Sequence, residues 1–69
     1  MHNNKQIIKD AIIAAIRYGE KQATLGDLII SVEYTPQTAG TETQKSVYFH
    51  QWVENKARRV EEILNHRIN

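Results

Sequence analysis

Histidine and carboxylate recur at helical spacing toward the C-terminal end of this chain, as His50 with Glu54 and again as Glu62 with His66. Imidazole and carboxylate four residues apart on a helix share a face, where they can hold a metal ion or exchange a proton. The two pairs begin twelve residues apart, about 18 Å along a helix, so they cannot converge on one centre. Neither pair has a marked third ligand, and contacts on a solvated helix face account for both. Ser46 and His50 have the residue types of a nucleophile and its base, but no acid is placed to orient the imidazole and no nucleophile elbow surrounds the serine. Gly19, Gly26 and Gly40 are isolated, which leaves no glycine-rich phosphate loop. There is no cysteine, so disulfides and thiolate metal sites are excluded. The expectation is a non-catalytic protein with no metal and no cofactor.

Charge offers a second kind of chemistry. Lys56, Arg59 and Arg67 fall along one flank of the final amphipathic stretch, with His66 nearby and Lys45 ahead of it. Such a row could rest on a phosphate backbone. Glu54, Glu61 and Glu62 share the stretch and oppose an anion there. The whole chain balances nine basic residues against eight acidic, whereas non-specific nucleic-acid binders draw most of their affinity from excess positive charge. Tyr34, Tyr48, Phe49 and Trp52 could stack on bases if exposed. In so small a domain they serve equally as core, and Trp52 as an anchor for a protein partner.

These side chains must be positioned by a short series of elements. Residues from about 4 to 18 read as a helix, with Asn3 or Asn4 as N-cap, Gln6 three residues after Asn3, and Gly19 as the stop. Its apolar residues cover more than half the circumference, leaving Lys5, Lys9, Asp10 and Arg17 for solvent, a wider arc than an ordinary surface helix shows. From about 27 to 35 the period becomes two: Leu28, Ile30, Val32 and Tyr34 share one face, and Ile29, Ser31 and Glu33 the other. Pro36 ends this strand, and residues 37–41 are polar and turn-forming. A second strand from about 42 to 49, with Val47 and Phe49 inward, would complete an antiparallel hairpin. A final helix from about 50 to 67 carries the seam Val53, Ala57, Val60, Leu64 and Ile68. Arg58 can reach Glu61 or Glu62 on its outer side. The layout is α+β, a helix, a hairpin and a helix in one domain spanning residues 1–69. The alternative is an all-α three-helix domain, because Leu25, Leu28, Ile29 and Val32 also fit a helical repeat.

That layout, at this length, resembles the small head–tail joining proteins of lambdoid phages, and more loosely a double-stranded-RNA-binding domain lacking one strand. The first resemblance implies a phage accessory role as a structural subunit of a larger assembly. The second would need a basic start to the last helix, and Lys56-Ala57-Arg58-Arg59 stands about two turns from that place.

At 69 residues a chain buries only about 60% of the surface its unfolded form exposes. Oligomerisation is then the available support, since cysteine is absent. The longest apolar run, residues 11–16, is far short of the roughly 20 residues needed to span a bilayer, and no leader pattern is visible. A cytoplasmic location without membrane contact is expected. The leading expectation is a protein-protein interaction module, a homodimer or small oligomer that binds or blocks a partner protein. Ile8, Ile12, Ala15, Ile16, Trp52, Val53, Val60 and Leu64 are its candidate interface residues. A nucleic-acid-binding module using Lys56, Arg59, His66 and Arg67 is the alternative.

Overall fold

The computed structural model describes residues 4–68, with side chains through His66; Asn3, Arg67's side chain and Ile68's side chain lie outside that set. Four elements follow in order: α1 (Asn4–Arg17), β1 (Gln22–Leu25), β2 (Leu28–Ser31) and α2 (Glu42–Ile68). α1 stops where expected. Gly19 takes a φ of +70°, its N–H donates to the Ile16 carbonyl at 3.1 Å, and the Glu20 N–H donates to the Ala15 carbonyl at 2.9 Å. This pair of bonds is the Schellman closure, which a residue without Cβ permits.

The hairpin lies earlier in the chain than the alternation alone implied. β1 and β2 are antiparallel, with Ala23 opposite Ile30 and Leu25 opposite Leu28. Only Gly26 and Asp27 separate them. Gly26 has a φ of +63° and Asp27 is not in the positive region, the pattern of a two-residue type II′ turn. Leu28, Ile30, Val32 and Tyr34 do face inward as the alternation requires. Regular pairing nevertheless ends at Ser31, apart from one further bond in which the Val32 N–H donates to the Lys21 carbonyl at 2.9 Å.

The strand expected over residues 42–49 is instead the opening of α2, which starts at Glu42 rather than near residue 50. A capping box explains the difference. The Gln44 N–H donates to Thr41 Oγ1 at 3.1 Å, and the Thr41 N–H donates back to Gln44 Oε1 at 2.9 Å. Val47 and Phe49, which mimic strand alternation, sit on different sides of the helix, the first exposed and the second half-buried. The all-α alternative fails in the same region, since residues 24–33 hold the turn and β2.

Ile8, Ile12 and Ala15 of α1 meet Val53, Ala57 and Val60 of α2, and Ala23, Ile30 and Val32 close the core from the hairpin side. Both helical sets recur at i, i+4 and i+7, one stripe of each helix. Among the described residues no polar or charged side chain is buried. With 27 residues, α2 is about 40 Å long and sets the long axis of a molecule measuring 43 × 22 × 19 Å. Tyr34 holds the irregular link against it, with its ring 5.2 Å from Phe49 and 5.1 Å from Trp52, both edge-on. Burial, and secondarily Tyr48, pushes the Tyr34 hydroxyl above its ordinary pKa.

Candidate protein-interaction surfaces

The residues with catalytic or ligand chemistry are dispersed. His50 is exposed and lies edge-on to Phe49. Its neighbour Glu54 is engaged elsewhere, by Lys5 and by Lys9 at 3.0 Å, both on α1. Hydrogen bonds from those two ammonium groups hold the Glu54 carboxyl below its ordinary range, against a smaller opposing effect of desolvation. Glu62 and His66 are exposed, and Ser46 is on α2 rather than in a strand. Among the described residues no three histidine, cysteine or acidic side chains group as a metal site. Arg58 turns to Asn55 Oδ1 at 3.2 Å rather than to the glutamates beyond it, and Lys45 pairs with Glu42 within α2 at 3.7 Å.

The structure places Ile8, Ile12, Ala15, Val53 and Val60 inside the molecule's own core, with Ile16, Trp52 and Leu64 half-buried against it. The apolar surface left over lies beside them. Ile7 on α1 and Tyr18 just after its end are exposed, Tyr18 at 83%. Elsewhere Ile29 is 63% and Ile63 51% exposed. Isolated apolar residues on a surface are ordinary; what distinguishes these is the company they keep.

Tyr18 belongs to a groove on the outer side of α1 formed with Asp10, Ile13, Ala14 and Arg17. The residues at 10, 13/14 and 17 follow one helical line. An acid stands at one end, a base at the other, and an apolar centre contains the small residue Ala14. Arg17 has no ion-pair partner among the described residues, and Asp10 accepts a hydrogen bond from Gln6 at 2.8 Å. None of the five was singled out from the sequence. The spacing of Asp10 and Arg17 around Ala14 was the available signal, once the opposite side of the helix was known to be covered.

The second surface lies between β2 and α2. Leu28, Ile29, Val60 and Ile63 line a shallow apolar groove, and Lys56 and Arg59 rim it. Lys56 Nζ also stands 5.9 Å from the Trp52 ring centroid, within cation–π range. Lys56 and Arg59 are thus adjacent as the sequence indicated. His66 is exposed farther along α2, and the Arg67 side chain is outside the described residues. Among the described residues, no helix is long and apolar enough to cross a membrane. No family model, curated protein or solved structure matches this chain.

Proposed function

We propose that this chain is a small homodimeric protein-interaction module, which acts by occupying a partner protein's surface. The observation that carries the dimer is the self-complementary outer face of α1. When two copies pack antiparallel about a two-fold axis beside Ile13 and Ala14, Asp10 of each meets Arg17 of the other. The small Ala14 admits the facing Ile13. An isologous contact needs this kind of internal complementarity, because each patch must fit itself. α1 has 14 residues and is about 21 Å long. The contact therefore belongs with interfaces below about 1,200 Å², which are weak and concentration-dependent.

Sedimentation equilibrium over a range of concentrations tests it. The wild-type protein is expected to pass from monomer to dimer in the micromolar range. Ala14→Glu, at an exposed position, should remain monomeric with an unchanged circular dichroism spectrum. A wild-type monomer throughout, or a variant that dimerises equally well, contradicts the proposal. Ring-like species larger than a dimer would favour a structural subunit of a larger assembly.

A further inference from the structure

β2 has one paired edge and one open edge. The Val32 N–H points across to Lys21, and backbone groups alternate in direction along an antiparallel strand. The amides of Ile30 and Leu28 therefore face β1, while the N–H and C=O groups of Ile29 and Ser31 face away. Among the described residues the sheet has two strands, so nothing pairs with that edge. Natural edges are blunted by short length, which β2 has at four residues, and also by proline, inward-pointing charge or a covering element. Residues 28–31 carry none of the last three themselves, and the exposed side chains beside the open groups are Ile29 and Ser31.

The groove described above runs next to this edge. Residues 28–31 line it from the hairpin side, and Lys56, Arg59, Val60 and Ile63 line it from α2. The α2 side thus offers both apolar surface and two cations. Neither cation has an ion-pair partner among the described residues. Two like charges with no counter-ion argue against a second copy of this face and for an acidic occupant.

We propose that the open edge of β2 binds an extended peptide segment of a partner protein, one that combines acidic residues with alternating β-branched apolar residues. The segment adds as a third strand. Its backbone pairs with Ile29 and Ser31, its apolar side chains lie on Ile29 and Ile63, and its carboxylates meet Lys56 and Arg59. Backbone pairing supplies the affinity and the flanking pockets the sequence preference. This surface is distinct from the outer face of α1 and does not depend on dimerisation.

Selection of a randomised heptapeptide library on the immobilised protein tests the proposal. Enriched peptides are expected to pair acidic residues with alternating valine, isoleucine or threonine. Lys56→Glu combined with Arg59→Glu should weaken the enriched peptides about tenfold or more, and repeated selection on that variant should turn to basic peptides. Ser31→Pro removes an outward N–H without touching the ladder to β1, a position where an edge strand tolerates proline. It should abolish binding while leaving the circular dichroism spectrum unchanged. No enrichment, enrichment without acidic bias, or full binding by a folded Ser31→Pro variant would overturn the proposal. So would tighter, steeply salt-dependent binding of a single-stranded oligonucleotide to Lys56 and Arg59, which would assign the flank to nucleic acid.

Discussion

Glu54 receives the ion pairs that join α1 to α2, from Lys5 and Lys9, and its carboxyl is held below the ordinary value of 4.5 mainly by those hydrogen bonds. A carboxyl whose folded-state pKa is depressed contributes stability that is complete above its unfolded pKa. That contribution is lost as pH falls through the folded-state value. Glu54→Gln should therefore lower Tm by a small amount near neutral pH, and the gap should close well below the carboxylate range. Because all three side chains remain partly exposed, added salt should narrow the gap at neutral pH as well. Thermal melts of both proteins across pH and salt check this, and a gap that persists in acid would contradict it. At this scale the sequence was only partly legible. Asp10 and Arg17 read as solvent residues, and Ile13, Ala14 and Tyr18 as part of a broad apolar arc. Which portion of that arc the hairpin and α2 cover depends on packing, which residue types alone do not determine.

Elements were more legible where local chemistry agreed with periodicity. α1 combines a wide apolar arc with Gly19 at its end, and it forms nearly as expected. The alternation of Leu28 to Tyr34 also predicted the inward residues. Its partner was misplaced because residues 42–49 carry Val47 and Phe49 at strand spacing, whereas β1 offers only Ala23 and Leu25 as apolar residues. Two local signals outweigh that pattern: the Gly26-Asp27 turn and the Thr41–Gln44 capping box. The box makes a prediction of its own. Thr41→Ala leaves the Gln44 N–H without its acceptor and should cost about 1 kcal/mol, with loss of helical signal from the first turn of α2. Chemical denaturation followed by far-ultraviolet circular dichroism reads both. An unchanged midpoint would mean that the cap adds nothing to the stability of α2. Gly40 supports the box by leaving space, since a Cβ there would stand 2.7 Å from Gln44 Oε1.

The whole molecule is a long helix with a shorter helix and a two-stranded hairpin laid against it, closed by a core of nine buried residues among those described. That core uses the residues that best matched an interface by sequence, and it leaves a smaller, charge-ordered face of α1 outside. The α+β layout was legible because amphipathic periods survive in short elements. The site was not, because its meaning comes from which face remains after the core has closed. Self-association through that face is the central claim, and a charge-swap series measured by sedimentation equilibrium tests it most directly. Asp10→Arg alone and Arg17→Asp alone should each place like charges together and shift the protein to monomer. The double variant should restore the dimer to near wild-type strength. Equal association by all four proteins, or a double variant no better than either single one, would contradict the antiparallel pairing of α1.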